Sequence, residues 1–244
     1  MAIIAAISIP IFAKFREVKQ APPLKSQAKK ITLASFPLTK GTYWIYQGPT
    51  KWSVANSEKI EERTLTWKME VVDTLQQGHN FIAVLKGHPG DLAWYEEGKD
   101  RSDYLLIRRG MEKYYFIVFD GSIKTILDRA KANASIDDLL DDDRLYINLP
   151  LYPGKKWGNP DHSDRTDNAY CWYVESGNKT VLQNISGLSS DPTVTQYELQ
   201  YYTNPDHEIL KFVEGVGITD FQYVHHGTVS ETHLRMIAFH NGED

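Results

Sequence analysis

The clearest regularity in the chain is an alternation of apolar and polar positions. Leu65, Trp67, Met69 and Val71 alternate with Thr64, Thr66, Lys68 and Glu70, the period-two pattern of a strand with one dry and one wet face. Similar runs cover 81–85, 104–107 and 114–119, and then 170–175, 180–184, 197–202, 208–213, 218–225 and 232–239. The breaks between them carry turn residues, among them Gln77-Gly78, Gly110, Ser176-Gly177-Asn178 and Asn204-Pro205-Asp206, the residue types that reverse a chain. About ten strands joined by short connections favour antiparallel meanders over crossovers. The expected fold is mainly β, α+β at most: a curved antiparallel sheet or partly open barrel.

Helical spacing occurs once inside this pattern. Ile123, Ile126, Leu127 and Ala130 fall on one face after Gly121, and Ser135-Ile136-Asp137-Asp138 offers a capping box for a second short helix carrying Leu139 and Leu140. Two short helices at the chain midpoint would cover one open face or end of the sheet. Residues 14–35 are basic and polar with a Pro22-Pro23 pair, which is linker composition. A single β-rich domain is expected over 36–244, with halves near 36–120 and 149–240.

An internal echo marks the two halves. Pro37-Leu38-x-x-Gly41-x-x-Trp44 and Pro150-Leu151-x-x-Gly154-x-x-Trp157 share four fixed positions at identical spacing. The proline and glycine make a turn that delivers each tryptophan into the first residues of a strand. With a later Glu214-Gly215-Val216-Gly217-Ile218 segment and a closing strand through Leu234 and Ile237, this pattern resembles a diffuse set of bacterial exported or lipoprotein β-proteins of uncharacterised function. The resemblance spans most of 36–239, rests on turn and aromatic positions, and implies a fold rather than a chemistry.

The chain opens on an unbroken apolar run, Met1 to Ala13. As a helix it would be about 20 Å long, short of a hydrocarbon core near 30 Å. A complete secretory signal places positive charge before its apolar stretch, whereas Lys14, Arg16 and Lys19 follow this one. Ile4-Ala5-Ala6-Ile7-Ser8-Ile9-Pro10 and Phe12-Ala13-Lys14 resemble the middle of the type IV pilin and pseudopilin N-terminal helix. The cleavage-site Gly and the Glu of that family would lie upstream of Met1, so the resemblance implies an internal methionine or a fragment boundary. Pro22-Pro23 ends any helix by about Gln20, earlier than a pilin stem. The resemblance therefore implies export and membrane anchoring, with an envelope or filament protein as partner, more than filament assembly itself.

Composition narrows the partners. The 244 residues are 41% hydrophobic and 24% charged, with six Trp and fourteen Tyr, ordinary for a folded chain apart from aromatics that favour pleated surfaces. A net charge of −5 and a pI of about 5.9 argue against nucleic acid, whose binders carry a concentrated basic face. Cys171 is the single cysteine, so no internal disulfide or thiolate zinc cluster can form. Its mid-strand setting reads as a small buried apolar residue.

Candidate chemistry is sparse. His225 or His226 with His233, and Asp206 or Asp220, could place imidazoles and a carboxylate around zinc or copper. Neighbours in a strand point to opposite faces, however, so His225 and His226 cannot both ligate without a bulge. Asp137, Asp138, Asp141, Asp142 and Asp143 lack the alternate spacing and glycine of a calcium loop and read as a solvated turn. Glu96 and Glu97 beside Trp94-Tyr95 could line a sugar-cleaving cleft but read more simply as a charged hairpin turn. No nucleophile elbow or phosphate loop is present, and no pattern calls for a cofactor. The expected function is a non-catalytic envelope or surface protein, including a pseudopilin-like subunit. The alternatives, in order, are a periplasmic or surface binding or carrier module for a lipid or glycan, and a hydrolase with an unrecognised site.

Overall fold

The structure, a computed structural model, describes residues 36–54, 57–91, 99–118, 120–188, 191–227 and 229–242. The apolar segment 1–13, the linker 14–35 and the Glu96-Glu97 pair lie outside the described residues. The first half contains β1 (Tyr43–Ser53), β2 (Ile60–Gln77), β3 (Asn80–Lys86), β4 (Asp103–Arg109) and β5 (Lys113–Ile117). Helix α1 (Asp120–Lys131), two single 3-10 turns (Asp137–Leu139 and Asp142–Arg144) and β6 (Leu145–Asn148) follow. The second half contains β7 (Lys156–Trp157), α2 (Pro160–Ser163), β8 (Trp172–Val181), β9 (Thr193–Tyr202), β10 (Asp206–Val213), β11 (Gly217–His225) and β12 (Ser230–His240).

All strands join one twelve-stranded antiparallel sheet in the order β6-β5-β4-β3-β2-β1-β12-β11-β10-β9-β8-β7. Each half is a six-strand meander, and the halves meet where β1 pairs with β12. The outermost strands β6 and β7 are joined by residues 149–155 alone, so the two edges must curl towards each other. The result is a nearly closed barrel. Side chains bridge the seam: Trp157 Nε1 donates to the Tyr146 carbonyl at 3.3 Å, and the Tyr146 and Trp172 rings meet edge-on at 5.2 Å.

Alternation sorts residues between the inside and the outside of this barrel. Trp44, Tyr46, Trp67, Met69 and Val71 are buried within, while Lys68, Glu70, Glu198 and Lys211 occupy alternate, outward positions on their strands. The outward face of β3–β5 is the exception. There Ile82, Leu105, Ile107 and Ile117 are buried on the side where α1 packs against β2 and β4. The helix contributes Ile123, Ile126 and Ala130, with Leu127 partly buried. Each fully buried aliphatic side chain stabilises this layer by roughly 1.5–3 kcal/mol. Among the described residues no helix is long and apolar enough to cross a membrane.

The first motif closes one end of the barrel. Phe36 lies beneath the sheet, 5.5 Å edge-on to Trp44 and 5.7 Å from Phe212, with its N–H donated to the Tyr114 hydroxyl at 3.1 Å. Trp44 Nε1 donates to the Val216 carbonyl at 2.6 Å, and the Tyr46 hydroxyl to the Ile218 carbonyl at 3.0 Å. The second motif repeats the local geometry of the first. Gly41 and Gly154 have φ of 86° and 84°. Thr42 N–H reaches the Thr39 carbonyl at 3.0 Å, and Lys155 N–H the Tyr152 carbonyl at 3.1 Å. Gly41 and Gly154 each donate to a valine carbonyl in the adjoining strand, Val71 at 2.9 Å and Val174 at 2.8 Å.

Three details depart from the sequence reading. The sheet has twelve strands rather than about ten: β6 and β7 are too short to show a period, β1 falls outside the alternating runs, and the runs 170–175 and 180–184 meet in one strand, β8. The second midpoint helix is only a 3-10 turn: Ser135 Oγ does accept the Asp137 N–H at 3.2 Å, but the run of aspartates beyond it disfavours a helix C-terminus. The second α-helix, α2, lies further on, started by Pro160 and capped by Asn159. Ser176-Gly177-Asn178 is no turn either. It is regularly paired strand inside β8, just after a register shift between Val174 and Ser176, and Gly177 is there because a Cβ would sit 2.8 Å from the Tyr197 ring.

Candidate functional site

The opposite end of the barrel is open. Along β5, Tyr114 meets Phe36 while Phe116 faces a cavity, and along β10 Phe212 meets Phe36 while Glu208 faces the same cavity. Its volume is about 780 Å³, within the roughly 300–1,000 Å³ of small-molecule sites. A second hollow of about 360 Å³ lies beside α1, lined by Ser122, Thr125, Leu139 and Arg144. It contains no ring and no buried titratable group.

Five rings form a continuous arc around the larger cavity. Tyr104 stacks on Phe116 at 5.3 Å, Phe116 on Tyr146 at 5.0 Å, Tyr146 meets Trp172 edge-on at 5.2 Å, and Trp172 meets Tyr201 at 5.3 Å. The arc runs from β4 through β5 and β6, crosses the seam, and ends on β9. The near-closure of the barrel therefore assembles it.

His88 enters from the turn after β3. Gly87 makes this possible: its φ is 78° and a Cβ would lie 2.5 Å from the Lys68 carbonyl oxygen, so only glycine fits. Trp67 Nε1 holds the turn by donating to both the Gly87 and His88 carbonyls at 3.1 Å. Asp91, buried, accepts the Ser102 N–H at 2.6 Å and the Ser102 hydroxyl at 3.0 Å, which ties the turn to the chain entering β4.

These elements bring together three polar groups remote in sequence. Gly90 N–H donates to His88 Nδ1 at 3.0 Å, and His88 Nε2 lies 3.1 Å from the Tyr146 hydroxyl. Burial drives the His88 pKa down to about 3, so the ring is neutral. With Nδ1 accepting from Gly90, its one proton sits on Nε2 and is donated to Tyr146. The Tyr146 hydroxyl in turn donates to Glu208 Oε1 at 3.5 Å. Burial pushes Glu208 up to about 7 against the stabilising bond from Tyr146, and Asp206 two residues away adds to the rise. Burial and the nearby Glu208 raise Tyr146 well above the usual phenol range. Glu208 is enclosed by protein, yet part of its surface faces the cavity.

The sequence-nominated residues lie elsewhere. His225 Nδ1 pairs with Asp206 Oδ1 at 2.8 Å, an oxygen that also accepts the Tyr223 hydroxyl at 2.6 Å. His233 Nε2 and Arg235 Nε share Asp220 Oδ2 at 3.2 and 3.3 Å. His226 is exposed on the hairpin. The three imidazoles are thus not gathered round one point, and among the described residues no three His, Cys, Asp or Glu side chains form a metal-holding group. Asp137 bonds to Asn80 and Arg109, and Asp138 to Arg129. Asp141 caps the turn ending at Arg144. Cys171 is buried, its thiol pushed up by burial. Trp44, Gly215 and Gly217 are brought together at the closed end, whereas Pro150, Gly154 and Trp157 lie at the seam.

His88, Tyr146 and Glu208 escaped the sequence reading. One signal pointed to Glu208: it is in phase with Leu210 and Phe212, a carboxylate on the apolar face of its strand. No protein-family model matches the sequence, and no curated protein matches it. Among solved structures the chain is similar to a Bacteroides fragilis protein described as exported with a YmcC-like fold, at TM-score 0.40, 11% identity, and coverage of 85% of this chain and 99% of that one. It is also similar to a Parabacteroides distasonis protein described as a lipoprotein, at TM-score 0.35, 9% identity, and coverage of 85% and 99% respectively.

Proposed function

We propose that the chain is a non-catalytic, extracytoplasmic envelope protein whose barrel is a binding module for one small amphipathic molecule. The pilin-like run from Ile4 to Lys14 supports the address. The observation that carries the binding role is the five-ring arc around a cavity of about 780 Å³ with a short polar relay in its wall. Binding sites of this class are mostly apolar, with a few polar groups that fix orientation. The histidine of the relay is placed to orient its neighbour rather than to abstract a proton. His88 has Nδ1 occupied by Gly90 and its proton directed at Tyr146, which leaves no ring lone pair to act as a general base.

The test is titration of the full chain with 1-N-phenylnaphthylamine, whose fluorescence rises on entering an apolar site. Saturable binding of one probe per chain is expected. Substituting Val118→Trp, at a cavity-lining position that is 43% exposed and so tolerant of change, should block it. Absence of saturable binding to folded protein, or unchanged binding in the Val118→Trp variant, would overturn the proposal.

A further inference from the structure

Resting on the reading of the cavity as a binding site, we infer the class of its ligand. The site takes an organic ammonium that carries at least one N–H on a compact apolar or aromatic body, with Glu208 as its counter-charge and the arc of rings as its wall.

Three observations converge on this. Glu208 stands in register between Tyr201 on β9 and Tyr223 on β11, so it projects into the barrel between two rings. Among the described residues its carboxylate receives one hydrogen bond, from Tyr146 to Oε1. Glu208 lines the cavity, and its second oxygen, with no hydrogen bond among the described residues, can accept a donor from a ligand. A buried carboxylate with an open acceptor position is best satisfied by a group that brings both an N–H and a positive charge.

Among the described residues, acidic groups outnumber basic ones along the cavity. Asp91, Asp141, Asp143 and Glu208 are acidic, while Lys99 and Arg144 are the basic members. Arg144 is committed to the Leu139 carbonyl and to Asp141 at 3.4 Å, and Lys99 is engaged in an interaction of its own. An anionic ligand would meet Glu208, and the two basic groups beside it are already engaged. Phe116 is stacked between Tyr104 and Tyr146, so a ring face for a cation would come from Trp172 or Tyr201.

The rings account for selectivity among cations. Phe116, Trp172 and Tyr201 line the same cavity as Glu208 with surface that binds a hydrocarbon or aryl body, which disfavours a bare metal ion or a fully hydrated small cation. Among the described residues, the groups that face Glu208 are Tyr146 from β6, Tyr201 from β9, Tyr223 from β11, and Asp206 on its own strand. His88 acts on it through Tyr146, and Asp143 and Arg144 stand across the cavity. None of these except Arg144 brings positive charge, and that charge is already paired.

Calorimetric titration of the full chain with 2-phenylethylamine, 2-phenylethanol and 3-phenylpropanoate tests this, because the three share a body and differ in the head group. At pH 8 the amine is expected to bind at least about tenfold more tightly than the alcohol, and the carboxylate more weakly than either. Glu208→Gln should abolish the preference for the amine while leaving the alcohol within about threefold of its wild-type affinity. Near pH 6, amine binding should release a proton, seen as a heat that depends on the ionisation enthalpy of the buffer, and Glu208→Gln should remove that dependence. If the alcohol or the carboxylate binds as tightly as the amine, or if Glu208→Gln keeps the preference, the cation reading falls while the cavity remains a binding site. If none of the three binds but phenylnaphthylamine does, the cation reading alone falls. If no probe binds folded protein, both readings fall.

Discussion

The indole N–H of Trp44 donates to the main-chain carbonyl of Val216 at 2.6 Å, and that carbonyl is held between Gly215 and Gly217, both at positive φ. The first Pro-Leu-x-x-Gly-x-x-Trp copy and the Gly-Val-Gly segment are therefore the two sides of one buried contact between the halves of the barrel. Trp44→Phe keeps most of the ring but leaves the Val216 carbonyl buried without its donor. A loss of about 1–3 kcal/mol is expected. Trp157→Phe should cost less, because its bond to Tyr146 is longer, 3.3 Å, and lies at the seam. Urea unfolding with an unchanged m-value is the measurement. A larger loss for Trp157→Phe would contradict this ranking.

Two glycines separate backbone strain from crowding. Gly110 has φ of 64° with nothing within 4 Å of a Cβ, whereas Gly217 has φ of 98° with Phe36 and Trp44 atoms 3.1–3.2 Å away. Gly110→Ala should cost about 1–2 kcal/mol, the conformational part alone. Gly217→Ala adds overpacking of the closed end, a further cost of about 1–3 kcal/mol. Equal losses in the two variants would mean that the Phe36 plug yields freely.

The pH dependence of stability should contain two opposing slopes. His88, lowered from 6.5 to about 3, is neutral in the folded chain but protonated when unfolded between those values. The unfolded state then holds more protons, so this group makes stability rise with pH through that window. Glu208, raised from 4.5 to about 7, is protonated when folded and ionised when unfolded. Stability from this group is present below about 4.5 and is lost as pH rises to about 7. Between about 4.5 and 6.5 the two nearly cancel. Relative to wild type, Glu208→Gln should steepen the rise of stability with pH over that window, by up to about 1.4 kcal/mol per pH unit. His88→Gln should turn it into a fall. Parallel curves for all three proteins would show that neither group keeps its shifted value.

What could be read from the sequence is what neighbours along the chain decide. Trp67, Met69 and Val71 announce a strand because their side chains alternate by covalent geometry, and they are buried inside β2. Ile123, Ile126 and Ala130 announce α1 for the same kind of reason, and the two motif glycines sit in the turns their spacing implies. Ser176-Gly177-Asn178 misleads because glycine answers two needs, a turn or a close approach. Only the neighbouring strand, by placing the Tyr197 ring against it, selects the second.

The candidate site belongs to the other category. His88, Tyr146 and Glu208 come from a turn, an edge strand of four residues and the start of β10, and neither His88 nor Tyr146 carries a local pattern that distinguishes it from a solvated polar residue. That Glu208 points inward is legible from its phase with Leu210 and Phe212. That it faces a cavity and a tyrosine, rather than a packed core, depends on the curl that brings β6 beside β7. Closure of a sheet is set by the summed twist and register of twelve strands. The sequence by itself determined the strands, the helix face and the repeated turns; the tertiary structure decided which end of the barrel is filled and which is left open, because that is a property of long-range pairing and not of any one segment.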